Sequence, residues 1–303
     1  MPTKPKILII GGSSFVSQNF IRLQKNNYSI KVVSRSMTGY DQEVLFPDFS
    51  DVPNDLFKNV DIVINCAAIV HQQKKIDEKI YNDINYKLPV DLASKAKTAG
   101  VKKFIQLSTI AVYGKATHID VSTEENPINP YGGSKLKADK ELSEMADNDF
   151  NVVIFRPPMI YGGKDAPGNM MRLIKFIAKG FPLPFKKLKN KRDFIHIDNL
   201  IGFIDASLKK NISGIFLVSD HSPVLIAELY SIIINSLGKA NRTFRMPAIG
   251  FKMIKKVMPG MYDKLFGNLT IEIERSIQLL DYNPTPMLEK GIAEMTVNLN
   301  KQE

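Results

Sequence analysis

The first 160 residues alternate short apolar runs with longer stretches of helical spacing. KILII (6–10) is apolar after its first position, and residues from about 14 to 25 then place Phe15, Phe20 and Leu23 on one side of a helix. SIKVVS (29–34) and DIVINCAA (61–68) read as strands, the latter a continuous apolar run of the kind buried on both faces of a parallel sheet. Residues 78–99 predict a long helix ended by Gly100, followed by the strand KFIQLS (103–108) and a helix from about 131 to 146. NVVIF (151–155) is a further strand, which must stop before the pair Pro157-Pro158. Strand–helix alternation of this kind predicts an α/β protein with a doubly wound parallel sheet.

Beyond about residue 163 the pattern loosens. Helical stretches at 168–180, 198–210, 224–237 and 287–298 alternate with short strand candidates near 193–197 and 215–218, and Pro182, Pro184, Pro223, Pro247 and Pro259 punctuate them. The reading is a domain over 1–163 and a smaller, mostly helical substrate lobe over 164–303, closely packed and with the chain crossing between them. Open α/β sheets bind ligands at the carboxyl ends of their strands, which puts the site in the cleft between the two.

Composition adds limits. With 303 residues, 44% hydrophobic and 24% charged, the chain has the profile of a soluble globular protein. The apolar run Ile7–Ile10 is far shorter than the roughly 7–15 residues of a secretory signal or the about 20 of a membrane span, so it reads as a buried strand. A single cysteine, Cys66, fits a reducing compartment, and the expected location is cytoplasmic. The net charge of +10 is concentrated in part at Lys186, Lys187, Lys189, Lys191 and Arg192. No aromatic residues interleave that run, so no nucleic-acid partner is expected. Four histidines and one cysteine show no metal-ligand spacing, and no metal is expected. The stretch 251–267 mixes basic and apolar residues and reads as a helix packed on the substrate lobe, with no membrane contact expected.

Candidate chemistry begins after the first strand. Gly11-Gly12-Ser13-Ser14-Phe15-Val16-Ser17 leads into a helix, as a loop that cradles pyrophosphate must. Only Gly11 keeps a glycine of a G-x-x-G-x-x-G frame; Ser14 and Ser17 stand at the later positions. The second strand ends at Ser34-Arg35-Ser36 with no acid to hold a ribose 2′-hydroxyl, so Arg35 favours NADP over NAD. This is a Rossmann-type arrangement. At the start of a helix, Tyr131 and Lys135 are spaced i, i+4 on one face, where an ammonium stabilises a phenolate and makes it a proton shuttle. Thr109 ends a strand 22 residues before Tyr131, where its hydroxyl projects toward the same cleft.

Taken in order, these elements resemble the extended short-chain dehydrogenase/reductases of the NAD-dependent epimerase/dehydratase type. The resemblance runs nearly end to end, through the loop 11–17, Asp48-Phe49, the strand INCAA, Asn85, Ser108 to Gly114, Tyr131 to Lys135, Arg156 to Gly162 and Arg192 to His196. It implies Thr109, Tyr131 and Lys135 as the catalytic group. It further implies that Gly11, Ser13, Ser14, Phe15 and Val16, with Arg35, Asp48, Phe49, Ala67, Ala68, Asn85, Tyr131, Lys135, Pro158 and Ile160, bind the cofactor. Thr109, Asn169 and Arg192 are implied to bind substrate. His196 reads as a core residue, since Tyr131 already fills the acid/base role. The segments 168–200 and 264–286 resemble bacterial UDP-4-keto-6-deoxy-N-acetylhexosamine 4-reductases. The resulting expectation is an NAD(P)H-dependent reductase acting at C4 of a UDP-linked 4-keto-6-deoxy sugar for surface polysaccharide. A UDP-hexose 4-epimerase with bound NAD is the alternative, and a catalytically silent NADP-sensing or scaffold protein the third reading. Ile110 and Ala111 after Thr109 offer no extra acid/base pair for a dehydratase. The expected partner is a UDP-sugar, with a homodimer left open.

Overall fold

A computed structural model describes residues 4–70, 76–164, 166–180, 182–184, 188–244, 246–257, 267–297 and 299. In the first half, strands β1 (Lys6–Ile10), β2 (Ser29–Ser34), β3 (Glu43–Leu45), β4 (Ile62–Asn65), β5 (Lys103–Leu107) and β6 (His118–Ile119) alternate with helices α1 (Phe15–Gln24), α2 (Glu78–Asn82), α3 (Leu88–Thr98) and α4 (Pro130–Glu144). After them come β7 (Asn151–Arg156), β8 (Ile160–Tyr161), α5 (Asn169–Ala178), β9 (Lys191–Arg192), β10 (Ile195–His196), α6 (Ile197–Leu208) and β11 (Gly214–Leu217). The last elements are β12 (Val224–Leu225), α7 (Ile226–Ser236), α8 (Ala248–Val257), β13 (Thr270–Ile271) and two helices, Glu274–Leu280 and Leu288–Thr296.

Seven strands pair in the order β11-β7-β5-β4-β1-β2-β3, all in parallel. Side chains alternate across a strand, and most positions of the central strands are apolar because both faces are covered; Asn65, Lys103 and Gln106 are buried polar exceptions. Ile7, Ile9, Ile62, Ile64, Ile105 and Val153 join one core with Phe20 and Ile21 of α1 and Leu200, Phe203 and Ile204 of α6. Leu8, Ile10, Val63, Phe104, Val152 and Ile154 join the opposite core with Leu92 and Ala96 of α3 and Ala138 and Leu142 of α4. The strand order reverses between β1 and β4, so the loops leaving their carboxyl ends face one another there.

Two elements differ from the sequence expectation. The edge strand β3 was not foreseen, because three residues carry too little periodicity to register. The strand expected near 215–218 does not stay with the C-terminal helices but joins the large sheet beside β7, a pairing that no local pattern encodes. The predicted helix over 78–99 forms, and a π-helical turn at Asp83–Lys87 interrupts its α-helical spacing. The C-terminal helices α5 and α7 and the final helix enclose a third, smaller core around Met170, Ile174, Leu229, Ile233 and Ile292. Among the described residues, no helix is long and apolar enough to cross a membrane. Lys186, Lys187 and residues 258–266 of the basic and apolar stretches lie outside the described residues.

Phe104 is fully buried in the middle of the sheet. Its replacement by alanine deletes a large side chain from a packed core and is expected to cost about 3–5 kcal/mol, read as a lower denaturant midpoint at unchanged slope. A loss under about 1 kcal/mol would mean the core collapses around the gap.

Candidate functional site

The turn after β1 is held by contacts that only bare backbone allows. Gly11 has φ +88, and a Cβ there would lie 2.7 Å from the Ala67 nitrogen of the facing loop. A Cβ on Gly12 would meet Val32 Cγ1 at 2.1 Å and Ser34 Oγ at 2.4 Å. The two serines in place of later glycines are accommodated by hydrogen bonding. Ser14 caps α1, its Oγ accepting from the Ser17 backbone N–H at 3.1 Å. Ser17 is fully buried, and its hydroxyl donates to the Gly11 carbonyl at 2.9 Å. The serine side chains therefore turn inward and stitch the loop together. The helix opening at Phe15 and Val16 presents N–H groups with no intrahelical acceptor, the chemistry an anion such as pyrophosphate needs. A dinucleotide fits this cradle. Cys66 sits beneath the loop, and burial pushes its thiol up, so it is an inert core group.

The end of β2 lies beside the short turn that begins at Phe49. The Arg35 guanidinium lies 5.8 Å from the centre of the Phe49 ring, which is itself buried. Asp48 caps the short turn after it, accepting from the Ser50 N–H at 2.9 Å. That hydrogen bond, with a smaller contribution from Arg35, holds its carboxyl below the ordinary range. Ala67 is buried and Ala68 exposed beside Gly11. Asn85 lies in the π-helical turn and is fully buried; its side chain accepts from Ile69 N at 2.8 Å and donates to Ile69 O at 2.9 Å. It thereby pins the loop that follows Ala68. Pro158 and Ile160 form the segment from the end of β7 into β8.

Between these lies the polar group on α4. Asn129 caps the helix, accepting from Gly132 N at 2.8 Å, and Pro130 opens it. Tyr131 is half-buried at its first turn and Lys135 is 1% exposed one turn on. Thr109 caps the 3-10 turn after β5, its Oγ accepting from Ala111 N at 3.1 Å. Burial pushes the Tyr131 phenol up to about 12, and the Thr109 side chain pulls it back. Burial pushes Lys135 down to about 8, against the pull of Asp139; its ammonium donates to the Leu107 carbonyl at 2.7 Å. The Tyr81 ring meets Tyr131 edge-on at 6.3 Å.

Two residues behind this group were not singled out from the sequence. Asp139, a further turn along the same helix face, is fully buried; its Oδ2 accepts from Ser108 Oγ at 2.7 Å and from Arg156 Nε at 2.9 Å. Arg156, at the end of β7, is 1% exposed and also donates to Tyr113 Oη at 2.7 Å and Glu125 Oε1 at 2.9 Å. The i, i+4, i+8 spacing of Tyr131, Lys135 and Asp139 was the available signal. A charged residue at a core-facing position needs a partner, but spacing does not say which.

Of the proposed substrate contacts, Asn169 is exposed at the start of α5 and accepts from Arg172 at 3.3 Å. Arg192 differs from the neighbouring Lys189 and Lys191, which are exposed. It is half-buried, donates to the Gly267 carbonyl at 3.2 Å and has its pKa lowered by burial. His196 is fully buried as the cap of α6, its Nδ1 accepting from Asp198 N. Among the described residues, His118, Asp120 and Glu272 bring possible ligand atoms within 4.8 Å of one another, on the strand pair β6–β13. The His118 nitrogens meet Thr270 and Glu272, while Asp120 holds the Ser122-Thr123 turn.

Removing Asp139 tests the buried pair. Asp139→Ala leaves the buried Arg156 with only the half-buried Glu125 as counter-charge and is expected to cost about 3–5 kcal/mol in denaturant unfolding. A loss below about 1 kcal/mol would show that Glu125 suffices to compensate the arginine.

The sequence matches the NAD dependent epimerase/dehydratase family over residues 7–218. It is 31% identical to a UDP-glucose 4-epimerase of Vibrio cholerae, over 94% of this chain and 92% of the relative. It is 26% identical to an N-acetyl-alpha-D-glucosaminyl-diphospho-ditrans,octacis-undecaprenol 4-epimerase of Escherichia coli O157:H7, covering 80% and 75%. Its fold is similar to that of a UDP-glucuronic acid 4-epimerase from Bacillus cereus in complex with NAD, with TM-score 0.77, 24% identity and coverage of 98% and 99%. The apolar parallel sheet, the glycine turn against Ala67 and this match together establish that the chain belongs to the NAD dependent epimerase/dehydratase family.

Proposed function

We propose that this protein oxidises and re-reduces C4 of a UDP-linked hexose, acting as a 4-epimerase. The observation that carries the reading is the juxtaposition of Thr109, Tyr131 and Lys135 at the carboxyl end of β5 and the start of α4. The similarity to UDP-sugar 4-epimerases supports placing epimerisation ahead of the net reduction that the sequence alone favoured.

In this reading residues 1–163 hold the cofactor and 164–303 the sugar nucleotide. The loop Gly11 to Val16 holds the pyrophosphate, and Asp48 and Phe49 the adenine. Ala67, Ala68, Pro158 and Ile160 line the nicotinamide side, with Asn85 fixing the loop beside them. When bound, the nicotinamide dinucleotide supplies the hydride acceptor and donor. Tyr131 accepts the proton of the C4 hydroxyl as that carbon is oxidised and returns it on reduction. Burial that pushes the phenol up to about 12 leaves little phenolate at neutral pH, so in this reading the Lys135 ammonium stabilises the phenolate. Thr109 hydrogen-bonds the same sugar oxygen and stabilises the charge that develops there. Arg192 and Asn169 hold the diphosphate while the 4-keto ring turns over between the two proton transfers.

Arg35 supports a second reading. Its guanidinium beside Phe49, with no acid at the end of β2, suits a 2′-phosphate and hence an NADPH-dependent 4-reductase. Product NMR separates the two. The purified protein should convert UDP-glucose or UDP-N-acetylglucosamine to its 4-epimer without added reductant. Turnover only of a UDP-4-keto-6-deoxy sugar with NADPH would reverse the order. No turnover of either would favour the silent protein. Tyr131→Phe should lower kcat by about 10²–10⁴-fold while dinucleotide still binds; wild-type turnover would remove Tyr131 from the mechanism.

The pH profile offers a separate check. The active lysine is the cation, and burial lowers its pKa to about 8, so kcat/KM should fall as pH rises through about 8. A profile still climbing at pH 9 would overturn the role given to Lys135.

A further inference from the structure

The segment leaving β7 ends in a turn, Gly162-Gly163, with φ of +83 and +78. Little of that turn is secured by its own neighbourhood in sequence. It is gripped instead by the last helix, Leu288–Thr296, some 130 residues later. Glu294 Oε2 accepts from the Gly163 N–H at 2.7 Å, and the Gly162 N–H points at Met295 Sδ at 3.3 Å. Gly291, one turn earlier on the same face, lets the helix come close: a Cβ there would lie 2.5 Å from the Tyr161 ring and 2.7 Å from the His196 ring.

Glu294 is itself held. His196 Nδ1 accepts from Asp198 N, so in the neutral ring the proton sits on Nε2, 3.4 Å from Glu294 Oε2. Lys290 lies 3.8 Å from its other oxygen and 3.6 Å from Asp198, which also pairs with Arg22 of α1 at 2.9 Å. The far side of the turn is closed by Phe15, whose ring comes within 3.3 Å of a Cβ built on Gly163. The turn is thus clamped between the opening of α1 and the C-terminal helix. It is continuous with Pro158–Ile160, and β8 is anchored by its pairing with β10 and by the Tyr161 hydroxyl donating to Asp220 at 2.6 Å.

We propose that Glu294 is a positioning residue for the dinucleotide: its hydrogen bond to Gly163 fixes the turn that sets Pro158–Ile160 and Phe15 on either side of the cofactor groove. The inference rests on the proposed dinucleotide site. Glu294 touches none of the reacting groups, so it governs cofactor affinity and leaves the chemical step alone.

The test is titration of the full-length protein with NADH, followed by nicotinamide fluorescence after any bound dinucleotide is removed, with kcat measured at saturating dinucleotide. Loss of a charge-assisted hydrogen bond predicts that Glu294→Ala raises Kd by about ten- to a hundred-fold while kcat changes less than about two-fold. Glu294→Gln keeps an acceptor oxygen at the same reach and should restore most of the affinity. Should the alanine variant fail to fold, Glu294→Asp, one methylene too short, makes the same comparison. Wild-type affinity in the alanine or aspartate variant would overturn the inference, as would a glutamine variant as weak as alanine. Failure of the wild-type protein itself to bind NADH and NADPH would overturn the dinucleotide reading, and this inference with it.

Discussion

Helix α4 carries both Tyr131 and Lys135, and its seat against the sheet depends on the buried pair of Asp139 and Arg156. Burial works against the charge of each, and their mutual attraction works back: Asp139 sustains the Arg156 cation, while Arg156 and Ser108 pull the Asp139 carboxyl down. A pair of this kind adds little net stability relative to a well-packed apolar alternative, but it is exacting about geometry. The carboxylate must meet a guanidinium from β7 and a hydroxyl from the end of β5 at once. Helix α4 therefore cannot slide or rotate without stranding a charge. That constraint brings the Tyr131 phenol to Thr109 and the Lys135 ammonium to the Leu107 carbonyl.

The phosphate loop follows the same logic with neutral groups. A glycine loop ordinarily works by leaving space for a ligand and for helix packing. Here two of those spaces are filled by serines, and the loop survives because each hydroxyl has a partner within the turn. What cannot be replaced is bare backbone at Gly11 and Gly12, where the neighbouring strands leave no room for a methyl group. The loop is consequently tighter and more hydrogen-bonded than its glycine count suggests.

Much was legible in the sequence because parallel sheets advertise themselves. Every residue of KILII is buried after the first, so the run is apolar from Ile7 on, and the strands at 62–65, 103–107 and 151–156 are likewise mostly buried and mostly apolar. The i, i+4 relation of Tyr131 and Lys135 is a property of any helix, and so was readable without the fold. The pairing of Gly214–Leu217 with β7, the contact of Asn85 with the backbone of Ile69 and the grip of Glu294 on Gly163 were not readable. Each joins positions separated by 16 to 131 residues, and Asn85 and Glu294 are of types equally at home in solvent.

The sequence by itself therefore determined the layered α/β architecture, the order of its central strands and helices, and the residue types at the polar group. Those follow from local periodicity and from helix and turn geometry, which act over a few residues. Only the tertiary structure decided which of the candidate charges are buried and paired. Arg192 is drawn inward while Lys189 and Lys191 remain in water, and Asp139 finds Arg156. The reason is physical: burial and pairing depend on what the rest of the chain brings alongside, and no local pattern of residues carries that information.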